Sequence, residues 1–271
     1  MANEHLSVKT GFVPQLHGVE LVPPTVPKLV SWSEGTDAQI ASIINAHYEG
    51  KIDLQEHWKV GDTRTVHLSA MAAKYGKETH VEQDVEFQIV NIGGKQFADG
   101  TECAFIVQLK DVLTNSSGNN EGGYMLSLSS NNSGWKGCAR RNWCNEVFRG
   151  SLPEELRAIF KLHKNKTSAG NQSSNLSETE DYFALPCSYN IFGESTQAWS
   201  GGADEDSVHW TYYDSQEKRV KHPRNNSNAC SWWLRSPKRD DTKSFCRVFE
   251  IGNLDYAGAS SYLGFAPFGC I

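Results

Sequence analysis

The sequence predicts an α+β fold. A helical stripe near the start, a set of alternating strands behind it and a tryptophan-bearing strand close to the end carry that prediction. Thr36-Asp37 opens a helix over 37–48, with Ile40, Ile43, Ile44 and His47 at i, i+3, i+4, i+7 on one face and Gly50 to end it. Val60-Gly61-Asp62 turns into a strand over 63–68. Further strands are expected over 85–92, with Val85, Phe87 and Ile89 alternating, and over 103–109, with Gly93-Gly94 as the turn between them. The segment 134–148 gives a helical stripe of Cys138, Arg141, Trp143, Cys144, Val147 and Phe148. Pro153, Glu154 and Glu155 open the next helix, where a first-turn proline and acids suit the helix dipole. Leu156, Ile159, Phe160 and His163 face inward on it, and Lys161, Lys164 and Lys166 suit its C-terminal end. Residues 164–179 read as a Ser/Asn-rich loop, and 181–193 as a short strand broken at Pro186.

The organisation expected is an extended arm over 1–31 and one domain over 32–271. Pro14, Pro23, Pro24 and Pro27 deny the arm a helix or a central strand, while Leu16, Val19, Leu21, Val22 and Val26 suit a strap against a neighbour. The chain has 271 residues, of which 38% are hydrophobic and 21% charged, enough to bury a core. A net charge of -6 argues against a nucleic-acid partner. No apolar run is long enough to span a membrane, and MANEHLSVKTGF lacks an apolar signal core, so synthesis in the cytoplasm is expected. The seven cysteines are scattered and read as buried, reduced side chains.

Chemistry is hard to place. No His-x-His, His-x-x-x-His or Cys-x-x-Cys pair occurs, so no metal site is assigned. Asp204, Glu205 and Asp206 read as a solvated acidic loop without EF-hand spacing. There is no nucleophile elbow, phosphate loop or dinucleotide fingerprint, and no Cys/His pair is singled out by spacing. Sequons such as Asn115 and Asn171 mark surface loops. No catalytic residue, metal ligand or cofactor is assigned.

The last forty or so residues differ in kind. Two runs rich in large apolar and turn residues, CSWWLRSP (230–237) and LGFAPFGCI (263–271), bracket a heterogeneous stretch over 238–262. Adjacent Trp232 and Trp233 in a strand put one indole on each face of a sheet. Arg235 would be followed by a turn at Ser236-Pro237. If Cys246 and Val248 point inward, Phe249 and Ile251 point out, and exposed aromatics on a strand suit binding. The stretch NLDYAGASSYL uses Tyr, Ser, Asn and Asp, which give large contact and adaptable hydrogen bonds at low entropic cost.

The combination WWLRSP, FCRV, GAS and GFAPFGCI, with GCARRNWCN and WSEGTDAQI further up the chain, resembles the variable proteins of diversity-generating retroelements of phages, prophages and microbial hosts. The resemblance runs from about Trp32 onward. It implies a C-type lectin-like fold of the formylglycine-generating-enzyme type, two helices packed on small twisted antiparallel sheets with long irregular loops. It implies a variable face near the C-terminus whose residues arise from scrambled adenines in AAC codons. Asp240, Asp241, Ser244, Phe249, Ile251, Leu254, Asp255, Tyr256, Ser260 and Tyr262 fit that codon palette, and Asn253 is the unmutated residue. Glu250 is placed with them on the surface although, like Lys238 and Lys243, it does not fit an AAC template. Trp232, Trp233, Arg235, Cys246, Phe265 and Phe268 would form the scaffold. The calcium-binding tripeptides of sugar-binding lectins and the catalytic cysteine pattern of the sulfatase activators are not found. The function so implied is non-enzymatic recognition of a protein or glycan on a cell or virion, from a phage tail or a cell surface. A formylglycine-generating-type enzyme and a fixed structural component of a phage tail are the alternatives.

Overall fold

The structure, a computed structural model, describes residues 26–75, 79–113, 123–126, 128–193, 208–223 and 226–271. Most of the expected arm, Asn115 and the acids Asp204, Glu205 and Asp206 lie outside those residues. Where the arm is described, Leu29 and Val30 pack on the core, and the Val30 carbonyl accepts from the Trp58 indole at 3.0 Å.

Helix α1 (Asp37–Tyr48) starts at the expected Thr36-Asp37, where a capping box forms: the Thr36 hydroxyl takes the Gln39 N–H, and the Gln39 side chain takes the Thr36 N–H. Its apolar stripe buries Ile40, Ile43 and Ile44. Strands β1 (Thr63–Leu68), β2 (Gln83–Ile92) and β3 (Phe105–Leu109) follow as an antiparallel meander. Helix α2 (Ala139–Trp143) runs through a π-helical turn, Cys144–Phe148, into α3 (Arg149–Ser151). The sequence stripe places Arg141 inward. Instead Arg140 is wholly buried and Arg141 lies half-buried, because the π-helical turn departs from the regular period assumed for the whole run. Helix α4 (Glu154–Ile159) follows Pro153, with Glu154 and Glu155 in its first turn.

Two sequence expectations fail next. Residues 164–179 are not a loop, and Lys164 and Lys166 do not end a helix. They belong to a hairpin of β4 (His163–Ser168) and β5 (Leu176–Asp181), paired over its full length. Helix α5 (Ser188–Phe192) then replaces part of the strand expected over 181–193. After a 3-10 turn at Thr211–Tyr213 come β6 (Trp232–Pro237), β7 (Ser244–Val248), β8 (Leu254–Gly258) and β9 (Phe268–Cys270).

Among the described residues three antiparallel sheets result, in the orders β1-β2-β3-β9, β4-β5 and β6-β7-β8. The class is α+β. One hydrophobic cluster extends from Trp32 to Ile271, so residues from both ends of the described chain share a core. The carboxylate of Asp181 sits inside it without exposure. It accepts from Trp135 Nε1 (3.0 Å), Arg141 Nε (2.6 Å), Asn145 Nδ2 (3.1 Å), Asn165 Nδ2 (3.0 Å) and Thr179 Oγ1 (2.7 Å). These bonds tie α2, the π-helical turn and the β4–β5 hairpin to one point. Among the described residues no helix is long and apolar enough to cross a membrane, and no group of three or more His, Cys, Asp or Glu could hold a metal ion.

Candidate ligand-binding surface

Strand β6 is the spine of the C-terminal sheet, and every residue of it is buried. On one side it pairs with β7. On the other, Trp232 bridges Gly264, and the Trp233 N–H donates to the Gly264 carbonyl at 2.9 Å. The two indoles point to opposite sides, as period-2 geometry requires. Trp232 donates to the Arg219 carbonyl at 3.0 Å and lies near Tyr213, whereas Trp233 donates to the Gly123 carbonyl at 2.7 Å and meets Phe245 edge-on. Arg235 does not leave the strand: β6 continues to Pro237. Its guanidinium is buried, donating to Thr167 Oγ1 (2.9 Å) and the Leu185 carbonyl (2.6 Å). Cys246, Phe265 and Phe268 are also fully buried, so all six residues assigned to the scaffold are interior.

Strand β8 is the outer strand of this sheet. Facing residues of an antiparallel pair share a face. Arg247 faces Asp255, Cys246 faces Tyr256 and Val248 faces Leu254. Asp255 and Tyr256 therefore project to opposite faces of β8. Arg247 grips Asp255 through Nε (3.0 Å) and Nη2 (2.6 Å) and lies over the Phe249 ring at 5.0 Å. Tyr256 lies instead under the Lys238 ammonium, 3.8 Å from the ring centre. The variable candidates therefore do not share the one face that the resemblance implies; they line the rim of a sheet edge and its flanking turns.

Exposure sorts them. Asp240, Glu250, Ile251, Asn253, Tyr256 and Tyr262 are exposed; Asp241, Phe249, Leu254, Asp255 and Ser260 are half-buried. Ser244 is buried, which overturns its expected place on the surface: its hydroxyl turns back to donate to the Asp241 carboxylate, and its carbonyl accepts from Asn131. Burial would raise the Asp241 carboxyl, but the Ser244 hydroxyl, the Lys243 N–H and the nearby Lys238 and Lys243 charges outweigh it and hold the group below its usual range. Phe249 ends β7 in a turn, with its N–H on the Asn253 carbonyl at 2.8 Å, so the outward alternation stops there.

The surrounding chain holds this stretch by its main chain. Asn131 Nδ2 donates to the carbonyls of Asp241 (2.7 Å) and Ser244 (2.9 Å), while its own N–H donates to Thr242. Gln216 Nε2 donates to the Ile251 carbonyl at 2.7 Å. The N–H groups of Met125 and Leu126 both reach the Ala259 carbonyl, and the Ala259 N–H reaches Lys243. Sequence reasoning missed Asn131 and Gln216, which lie far upstream. It missed Leu128 too, whose 74% exposure is the largest among the exposed large apolar residues described. Its neighbour Ser129 meets Ser260 at 3.2 Å. Tyr124 was missed as well; its ring meets that of Tyr262 edge-on at 5.8 Å.

Arg140 was also missed. It is buried behind this surface, with Nη2 donating to the Tyr124 carbonyl at 2.8 Å and its Cζ 4.4 Å from the Phe265 ring centre. Burial pulls its pKa down to about 10, which leaves it a cation at neutral pH.

Residues 109–271 match the DUF6273 family, a domain of unknown function, and the chain belongs to that family. The match takes in β4 to β9 and every residue of the surface. No curated protein matches the chain. No solved structure matches it either.

Proposed function

We propose that this protein is a non-enzymatic ligand-binding protein that displays an exchangeable surface, of the kind diversity-generating retroelements produce, on a C-type lectin-like scaffold. The partner would be a protein or glycan on a cell or virion. One observation carries the reading: the 238–262 stretch is held from outside through carbonyl and N–H groups, by Asn131, Gln216, Met125 and Leu126. A main-chain clamp is indifferent to the side chain it passes, so the exposed positions can change while the loop keeps its course. The scaffold beneath is fully buried, and the exposed Ile251, Tyr256 and Tyr262 supply apolar contact at the rim.

A second reading, a fixed binding or structural surface, is favoured by the Arg247–Asp255 fork and by the burial of Ser244. Those contacts depend on side-chain identity. Sequencing this locus across isolates separates the two readings. The first expects substitutions crowded into the exposed positions of 238–262, with a nearby reverse transcriptase gene and an asparagine-codon-rich near-copy of the segment. An invariant segment without either would overturn it in favour of the second.

A further inference from the structure

Three buried charges, Asp181, Arg235 and Lys221, are well satisfied. Asp181 collects its donors from five side chains, Arg235 reaches Thr167 and Leu185, and Lys221 Nζ donates to the carbonyls of Leu109 (2.8 Å) and Lys110 (2.7 Å). Arg140 is different. Its Nη2 bond to the Tyr124 carbonyl leaves Nε and Nη1, two of its three nitrogens, buried with no partner among the described residues. The indole Nε1 of Trp143, whose ring centre lies 5.5 Å from the Arg140 Cζ, is likewise without a partner. The ring faces of Phe265 and Trp143 attract the charge, but they offset only a minor part of the cost of taking a guanidinium out of water, and they accept no in-plane N–H. A cation of this kind calls for an acceptor.

Its place in the fold says where one would enter. Arg140 is bonded to the Tyr124 main chain, the Tyr124 ring meets Tyr262, and Tyr262 is 61% exposed at the rim of the candidate surface. We propose that Arg140 anchors an oxyanion of the ligand, a carboxylate or a phosphate, which reaches the guanidinium when the Tyr262 ring swings away from Tyr124. The subsite would be a fixed feature behind a changeable rim. It rests on the reading of this surface as a binding surface, though not on its being exchangeable.

The test uses the full chain with isotope-labelled arginine side chains. It is titrated with sodium acetate and, separately, with inorganic phosphate, each against sodium chloride of matched ionic strength. A single arginine Nε–H resonance should shift saturably with one of the oxyanions and not with chloride. Tm should rise by about 2–5 °C at saturation, because the anion binds only the folded state. A response to acetate identifies a carboxylate-bearing partner, and one to phosphate a phosphorylated one. Arg140→Met should abolish the response. Tyr262→Ala keeps the guanidinium and clears its approach, so it should bind the same anion as tightly as the natural protein or about threefold tighter, and it decides the matter if Arg140→Met does not fold. No saturable shift in either arm, a response that survives in Arg140→Met, or one lost in Tyr262→Ala overturns the proposal. None of these outcomes bears on the comparison of isolates, so failure here and failure of the exchangeable-surface reading are told apart.

Discussion

The side-chain amide of Asn131 donates to the Ser244 carbonyl at 2.9 Å and to the Asp241 carbonyl at 2.7 Å, so one buried residue closes the β6–β7 turn from outside it. Its Oδ1 accepts from the Asn171 N–H at 2.7 Å, which fastens the β4–β5 turn to the same point. Asn131→Ala strands the part-buried Asp241 carbonyl and Asn171 N–H, and it takes one of two donors from the Ser244 carbonyl, which keeps the Lys238 N–H at 2.9 Å. The expected loss is about 3 kcal/mol, since each unsatisfied group costs on the order of 1–3 kcal/mol less whatever water recovers. Urea denaturation measures it, and a loss below about 1 kcal/mol would show that the turn holds itself.

The rim should behave in the opposite way. Ile251→Ser, Asn253→Asp and Tyr262→Ser combined remove exposed side chains without touching a main-chain clamp. Each should cost roughly 0.5 kcal/mol or less, as surface changes usually do. Calorimetry on the triple variant checks this, with Tm expected to stay within a few degrees of the natural protein. A collapse in Tm would mean that the rim is structural.

Gly252 gives a sharper case. Its φ is +85°, and a Cβ there would lie 2.3 Å from the Gln216 carbonyl oxygen, a main-chain atom that cannot turn aside. Gly252→Ala therefore combines an unfavourable backbone conformation with a clash. A loss of about 2 kcal/mol or more is expected. The same substitution at Gly50, where φ is +71° and nothing lies within 4 Å, isolates the conformational part and should cost about 1 kcal/mol.

These clamps also mark where sequence reading stops. Helix α1 and strand β1 were legible to the residue, because Thr36-Asp37 caps the helix, the isoleucines keep its period, and Val60-Gly61-Asp62 turns into the strand. The β4–β5 hairpin was not, because its inward side chains are His163, Asn165, Thr167, Thr179 and Asp181. A strand that buries polar groups around a carboxylate shows no hydrophobic alternation. Arg140 was lost to its neighbour for a related reason, since the phase of a helical stripe does not survive a π-helical turn. The surface was half legible. Residues 238–262 are contiguous and chemically odd, so the segment stood out. Asn131, Gln216 and Tyr124 come from far upstream and carry no local signal of the role they play.

Arg247 and Asp255 sit on adjacent strands with side chains 21% and 36% exposed. Their fork is the strongest side-chain tie within the rim, and solvent screens it in part. A double-mutant cycle with Arg247→Ala and Asp255→Ala should give a coupling of about 0.5–1.5 kcal/mol that shrinks at high salt. A coupling at the low end leaves Asp255 open to exchange, in line with the first functional reading. A coupling well above that range would make Asp255 part of the frame.

Lys221 sets the pH behaviour. Burial brings its pKa down from the ordinary lysine value to about 7, with the Asp111 and Cys230 charges opposing and Lys110 assisting. In the unfolded chain the amine titrates near 10.4. Between about pH 7 and about pH 10 the unfolded state therefore holds a proton that the folded state has released. Stability must rise with pH across that window, by at most about 1.4 kcal/mol per unit. Below it both states are protonated and the slope vanishes. Cysteines of the unfolded chain lose protons above about pH 8.5, while burial pushes Cys138 up to about 11, and that term runs the other way. The informative quantity is thus the difference between the natural protein and Lys221→Met in denaturant titrations at several pH values. The natural protein should gain on the variant as pH rises from 7. Parallel curves would mean that the two carbonyls and the Trp232 face, 5.1 Å away, keep the ammonium charged throughout.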